Sequence, residues 1–263
     1  PPRSTLFPYT TLFRSDQIGP QQWPFPLGAQ AGTPRLYTDG LFPTDNGRAH
    51  FIADPYRAAK EQRDARFPLT LITGRLRDQW HGMSRTGTAA QLFGHVSEAR
   101  LSLHPDELRR HRFKDGDLVN LKSRRGHLIV AVSSDDSVRP GQAFLPMHWG
   151  DRFLKGGVNG LTQPAFDPLS KQPELKHSGV RLEAVQLPWQ LFALIEGDVQ
   201  QHFEALRPLC EGFAYVSLSL AGRERPALLV RAAHTEAPDL QLLTRIDQLL
   251  GLHDGPVMAN DDP

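Results

Sequence analysis

Between Phe67 and Leu187 the sequence alternates short apolar runs with turn residues, and this pattern constrains the fold more than any other feature. The runs that predict strands span 68–73, 117–123, 127–133, 142–147 and 179–186. Arg124-Arg125-Gly126 predicts a tight hairpin, and Arg139-Pro140-Gly141-Gln142 predicts another turn. Many short strands joined by short turns are typical of a closed barrel or a sandwich.

Composition agrees with a chain rich in strands and loops, because its 263 residues include 22 Gly and 22 Pro. The net charge of +1 provides no basic field of the kind that general nucleic-acid binding requires. The single cysteine, Cys210, excludes an internal disulfide framework and any Cys-based metal cluster supplied by this chain alone. No apolar run is long enough to span a membrane. We therefore expect neither nucleic acid nor a membrane as a partner.

The remaining segments have a different character. Residues 188–263 predict a β-α-β-β-α module, with helices at Asp198–Leu209 and Leu240–Leu250. Asn46-Gly47 predicts a type I′ hairpin within a proline-rich linker, and Ser102–Arg110 predicts a short helix. Pro1–Ser15 resembles a translated sequencing-adapter tail, so we expect a fragment that lacks its upstream part.

The first candidate site is the loop Thr73–Gly87, which follows the predicted strand 68–73. It contains glycines, arginines, hydroxyl residues and the pair Trp80-His81. Glycines let backbone N–H groups approach an anion, and arginines and hydroxyls bind phosphate oxygens, so the loop suits a phosphate-bearing ligand. It matches neither GxxxxGK[ST] nor GxGxxG, and an ordinary polar loop with a core tryptophan remains the alternative.

The second candidate site is the long irregular segment 144–179, because long ordered loops are usually functional. Met147, His148 and Trp149 stand where the predicted strand ends. The alternative is a surface excursion that packs Trp149 and Phe166 on the barrel. No pair of histidines has HExxH spacing, no serine lies in a Gly-x-Ser-x-Gly motif, and Cys210 is better explained by packing. The sequence thus singles out no catalytic residue and no metal ligand, and a metal site built from the scattered histidines stays open only as a minor alternative.

Taken together, TGRLRDQWHGMSRTG at 73–87 and FLPMHWG…GGVNGLTQPAFDPLSKQPELKHSGVRLE at 144–183 resemble the C-terminal molybdopterin dinucleotide-binding domain of molybdenum oxidoreductases. The resemblance is closest to bacterial assimilatory nitrate reductases and runs from about Gln22 to Glu183. It implies a mainly β fold with α+β, in which a double-psi β-barrel at 67–187 is followed by the small α+β module at 188–263. Residues 16–66 would be a linker and hairpin from the preceding domain.

The resemblance also implies a cofactor, bis(molybdopterin guanine dinucleotide) with molybdenum. The family's iron–sulfur cluster and molybdenum-ligating cysteine belong to an N-terminal region that this sequence does not contain. The residues that the resemblance assigns to cofactor binding are Thr73, Gly74, Arg75, Gln79, Trp80, His81, Gly82, His148, Trp149, Asn159 and Lys176.

The function that this resemblance implies is the reduction of nitrate to nitrite by a cytoplasmic enzyme, with removal of an oxygen atom and transfer of two electrons. The partners would be nitrate, the rest of the catalytic subunit and an electron-donor protein or domain. We expect the fragment alone to be inactive. Two alternatives stay open: a formate dehydrogenase-type molybdenum oxidoreductase, and a stand-alone nucleotide-binding barrel without redox activity.

Overall fold

The computed structural model describes residues 20, 22–222 and 224–250, and the adapter-like segment Pro1–Ser15 lies outside them. The chain divides into two compact units, residues 1–57 and residues 58–263. The described part of the first unit contains no helix or strand, so the predicted hairpin at Asn46-Gly47 is wrong. Asn46 Oδ1 accepts from the Arg48 amide at 3.0 Å and Thr44 Oγ1 donates to the Arg48 carbonyl at 2.7 Å. These local side-chain bonds replace a strand ladder with a turn.

Six strands of the second unit form a closed barrel in the order β1-β5-β2-β4-β3-β6. They are β1 (Leu69–Gly74), β2 (Arg100–Leu103), β3 (Leu118–Ser123), β4 (His127–Ser134), β5 (Gln142–Pro146) and β6 (Ser178–Ala184). The pairs β1–β5 and β2–β4 are parallel, and the other neighbours are antiparallel. The barrel confirms the predicted fold class, and its strands match all the runs proposed from the sequence.

The barrel core follows from alternation along each strand. In β1 the side chains of Leu69, Leu71 and Thr73 are buried, whereas those between them are half-buried. Strand β3 repeats this period of two, and its Val119 and Leu121 are fully buried. Since a strand places successive side chains on opposite faces, the apolar set fills the barrel interior.

Strand β2 is the element that the sequence did not indicate. The helix predicted for Ser102–Arg110 is corrected to α1 (Pro105–His111), because Ser102 and Leu103 belong to β2. Leu101 and Leu103 are fully buried, and the strand pairs with both β4 and β5. His104 follows the strand directly and caps α1, where its Nδ1 accepts from the Asp106 amide at 3.1 Å.

Beyond the barrel, β7 (Trp189–Glu196), β8 (Tyr215–Ala221) and β9 (Ala227–His234) form an antiparallel sheet in the order β7-β9-β8. Helices α2 (Val199–Leu206) and α3 (Leu240–Leu250) complete the β-α-β-β-α order, as predicted.

This small α+β segment lies in the same compact unit as the barrel. The Leu218 amide donates to the Phe153 carbonyl at 2.7 Å, and Arg231 pairs with the buried carboxylate of Glu98 at 2.7 Å. The domain boundary after residue 187 stays a prediction. None of the helices in the described ranges is long and apolar enough to cross a membrane.

Candidate functional site

The two segments singled out from the sequence leave the barrel side by side. Strands β1 and β5 run parallel, with Gly74 paired to Pro146, and the Met147 amide donates to the Gly74 carbonyl at 2.9 Å. Glycine at position 74 allows the Phe144 ring to pack closely, because a Cβ there would lie 2.6 Å from the ring. Parallel pairing therefore brings the loop after β1 and the loop after β5 to the same edge of the barrel.

The buried side chain of His148 joins these two loops. Its Nε2 accepts from the Leu76 amide at 2.8 Å, and its Nδ1 faces the His81 carbonyl at 2.7 Å. Because Nε2 acts as acceptor, the proton lies on Nδ1, which donates to the His81 carbonyl. Burial lowers the pKa of His148, and the charge of Arg75 adds to this effect. A neutral imidazole thus holds both ends of the segment 76–81.

This segment and the adjacent Arg75 present an aromatic ring and a cation on the outer surface. The Trp80 ring is 53% exposed, lies edge-on to His81 with centroids 4.7 Å apart, and has the Arg75 guanidinium 5.1 Å from its centroid. His81 adopts φ of 45° and the buried Met83 adopts φ of 60°, both in the left-handed region. Non-glycine residues hold such values only where surrounding contacts enforce them, as His148 and the packing of Met83 do here.

Lys176 approaches the same edge from the segment before β6. Its Nζ donates to the Thr73 carbonyl at 2.6 Å, and Thr73 Oγ1 donates to the Leu175 carbonyl at 2.9 Å. Asn159 lies in the 3₁₀ turn Val158–Leu161, which is attached to the β5 end because the Val158 amide donates to the Trp149 carbonyl at 3.1 Å. The Asn159 side chain is exposed, and its amide group has no hydrogen-bond partner among the described residues.

The predicted site residues therefore divide by exposure. Those with accessible side chains or backbone are Arg75, Trp80, His81, Gly82, Asn159 and Lys176, and Gly74 is half-buried. Thr73, Gln79, His148 and Trp149 are buried, so their side chains offer no surface to a ligand and act as supports. Gln79 Nε2 donates to the Leu92 carbonyl at 3.0 Å, and the Trp149 ring packs edge-on against Phe93 at 6.5 Å.

Sequence reasoning missed the residues that support the Asn159 turn. Arg125 donates to the Leu161 carbonyl at 3.1 Å and to Glu61 at 2.5 Å. A Cβ on Gly126 would lie 2.9 Å from the Gly160 carbonyl oxygen, so the hairpin tip and the turn are in close contact. The hairpin was predictable from Arg124-Arg125-Gly126, but nothing in the sequence indicated its partner at 158–161.

Other chemistry is limited in the described part of the chain. No group of three or more His, Cys, Asp or Glu side chains there is placed to hold a metal ion. Burial raises the pKa of the Cys210 thiol to about 11, and its Sγ lies 3.4 Å from the Leu206 carbonyl. The thiol is protonated at neutral pH and packs in the α+β segment, as the sequence indicated.

Comparison with known proteins finds matches over the barrel and the loops that leave it. Residues 69–179 match the family described as "Molydopterin dinucleotide binding domain". The chain is similar to nitrate reductases from Klebsiella oxytoca, at 32% identity over 70% of this chain, and from Synechocystis sp., at 40% over 64%. It also resembles an F420-dependent formate dehydrogenase subunit alpha from Methanocaldococcus jannaschii, at 32% over 62%. These matches cover 22%, 24% and 24% of the relatives, so the chain spans about a quarter of their length.

Proposed function

We propose that this chain, whose residues 69–179 belong to the molybdopterin dinucleotide-binding domain family, contributes one wall of the cofactor site in a molybdenum oxidoreductase. The observation that carries the proposal is the junction made by His148. It joins the loop after β1 to the loop after β5 and turns Arg75 and Trp80 toward solvent. A dinucleotide requires donors for its diphosphate and flat surfaces for its rings, and this surface presents both.

The residues at this edge fit such a group. Arg75 makes no ion pair with another described residue, and Lys176 supplies a second cation. The amide group of Asn159 can both donate to and accept from a base edge. A Cβ added at Gly82 or Gly160 would meet nothing within 4 Å, so a ligand can approach the backbone closely at either position.

In this proposal the chain's own residues bind and orient, and no residue of the chain is catalytic. When bound, the cofactor would supply two-electron and oxygen-atom transfer at its molybdenum. Arg75 and Lys176 would neutralise phosphate charge, and the Trp80 ring would stack on a planar ring. Gln79, His148 and Trp149 would keep the two loops in place from beneath, and Thr73 would fix the segment that carries Lys176.

We further propose nitrate as the substrate of the intact enzyme, which would form nitrite in the cytoplasm with electrons from a donor protein or domain. Support comes from nitrate reductases of three bacteria that are 30–40% identical over 64–74% of this chain. The cofactor would be the bis(molybdopterin guanine dinucleotide) form. An iron–sulfur cluster would belong to another part of the enzyme, so the fragment alone would be inactive.

The second candidate function is formate oxidation, which the similarity to two methanogen formate dehydrogenase subunits favours. Assays of the full-length holoenzyme with nitrate and reduced viologen, and with formate and oxidised viologen, distinguish the two. Turnover of nitrate alone is expected, and turnover of formate alone would contradict the nitrate proposal. A full-length protein with neither activity and without molybdenum would favour the stand-alone nucleotide-binding barrel.

The cofactor role is tested in the full-length enzyme by measuring molybdenum and the nucleotide that acid releases. We expect guanosine monophosphate, whereas another nucleotide would contradict the guanine form. Arg75→Ala should lower both contents several-fold, because a phosphate contact is lost. The matched control is Arg109→Ala, which changes an exposed arginine on α1 that pairs only with Asp106 in the described structure. Equal contents in both variants would refute the role of Arg75.

A further inference from the structure

The outer edge of β7 is unpaired in the described part of the α+β segment. Strand β7 pairs with β9 on one side, and no other described strand pairs with its opposite side. Its ladder with β9 runs from Trp189 to Glu196 without a bulge. Phe192 is 70% exposed and Leu194 is 57% exposed, both on the same face of the strand. Natural proteins normally block such edges with lysine, proline, a bulge or a covering element.

The strand contains none of these protective residues. Its sequence, WQLFALIE, has Glu196 as its only charged residue, at the last position. A long, apolar, unbulged edge with unpaired backbone groups is a template for another strand. We infer that β7 pairs with β7 of a second copy of this chain, so that two three-stranded sheets join into one six-stranded sheet about a twofold axis.

The choice of a second copy rests on the residue pattern of β7. In an antiparallel pair, residues directly opposite each other lie on the same face of the sheet. Only registers that place exposed residues of β7 opposite exposed residues of the second copy are therefore possible. When the twofold axis passes through Ala193, Phe192 lies opposite Leu194 of the second copy, and Gln190 lies opposite Glu196 of the second copy. Each contact occurs twice by symmetry, as an isologous interface requires.

Neighbouring registers match less well. An axis through Phe192 places Gln190 opposite Leu194, and an axis through Leu194 places Phe192 opposite Glu196. Both put an apolar side chain against a polar one, whereas the axis through Ala193 pairs apolar with apolar and amide with carboxylate. On the other face this register sets Leu191 opposite Ile195, so both faces of the strand are matched. The inference is independent of the proposed cofactor role.

The oligomeric state of the full-length protein that contains this chain tests the association, by sedimentation at micromolar to submillimolar concentrations. We expect a concentration-dependent dimer. Phe192→Lys and Leu194→Lys should each raise the dissociation constant at least several-fold, and both positions are exposed, so the fold is retained. The matched control is Leu169→Lys, at an apolar residue that is 92% exposed outside this strand. A monomer at all concentrations, or a dimer that neither β7 variant weakens, would overturn the inference.

Crosslinking tests the register. Ala193→Cys places a thiol on the twofold axis, and mild oxidation should give a covalent dimer. The native Cys210 is half-buried with a raised thiol pKa, and the unsubstituted protein, oxidised in parallel, reports any crosslinking through native cysteines. Leu194→Cys should crosslink poorly, because its two copies are not opposite each other in this register. Efficient crosslinking of Leu194→Cys in place of Ala193→Cys would contradict the register, and crosslinking of neither would contradict pairing through β7.

Discussion

Replacement of His148 by alanine should destabilise the barrel and release the loop that follows β1. The buried imidazole satisfies two backbone groups, the Leu76 amide at 2.8 Å and the His81 carbonyl at 2.7 Å. A buried polar group that loses its partner costs about 1–3 kcal/mol, so two of them cost about 2–6 kcal/mol. Since the loop can partly rearrange to reach water, we expect a loss of about 3–4 kcal/mol in the free energy of unfolding.

Urea denaturation followed by far-UV circular dichroism measures this loss, and hydrogen exchange of the Leu76 amide reports the loop itself. His127→Ala is the matched control, because His127 is an exposed histidine at the start of β4 and should change stability by less than about 0.5 kcal/mol. A loss below about 1 kcal/mol for His148→Ala would refute the reasoning, because it falls below the cost of even two weak orphaned groups. Unchanged exchange at Leu76 would refute it independently.

Three other predictions follow from individual contacts. The pKa of His148 lies below the usual 6.5, so the unfolded chain binds a proton at this residue more readily than the folded chain. The free energy of unfolding should therefore fall as the pH drops from 6.5 toward the folded-state pKa. In His148→Gln this part of the pH dependence should vanish. Gly74→Ala should lower the free energy of unfolding, measured by heat or urea, by about 1–3 kcal/mol, since the added Cβ would lie 2.6 Å from the Phe144 ring. An unchanged free energy of unfolding would contradict the close packing. Glu98→Ala should lower the free energy of unfolding by about 2–4 kcal/mol, because it leaves Arg231 without its buried partner. Arg231 is 26% exposed, which keeps the loss below that of a fully buried pair. A loss under about 0.5 kcal/mol would contradict this view.

Much of the fold was predictable because its signals are local. The period of two in β1 and β3, the hairpin turn at Arg124-Arg125-Gly126 and the amphipathic pattern of α3 each lie within a short window. Strand β2 escaped prediction because it has four residues and no turn of its own; its pairing with β4 and β5 defines it. The hairpin expected at Asn46-Gly47 failed because local side-chain bonds took the place of the ladder.

The candidate site was predictable as a pair of segments but not in its internal arrangement. A glycine- and arginine-containing loop after a strand indicated phosphate chemistry without reference to the fold. The division between exposed and buried residues depends on contacts over long sequence separations. His148 reaches Leu76 across 72 positions, and Arg125 reaches Leu161 across 36. No periodicity in the sequence encodes such contacts. For this reason the sequence predicted His148 as a cofactor-contacting residue, whereas in the structure its buried side chain connects the two loops.

The central claim is that the edge formed by the loops after β1 and β5 faces a molybdopterin dinucleotide. Hydrogen exchange of the full-length enzyme, compared between preparations with and without the cofactor, tests it most directly. We predict that amides in 75–82 and 158–162 exchange at least about tenfold more slowly with cofactor bound, which corresponds to about 1.4 kcal/mol of added protection. Amides of the exposed Glu224 and Arg225, in the α+β segment, should be unchanged. Equal exchange in 75–82 and 158–162, with protection appearing elsewhere on the barrel, would contradict the account.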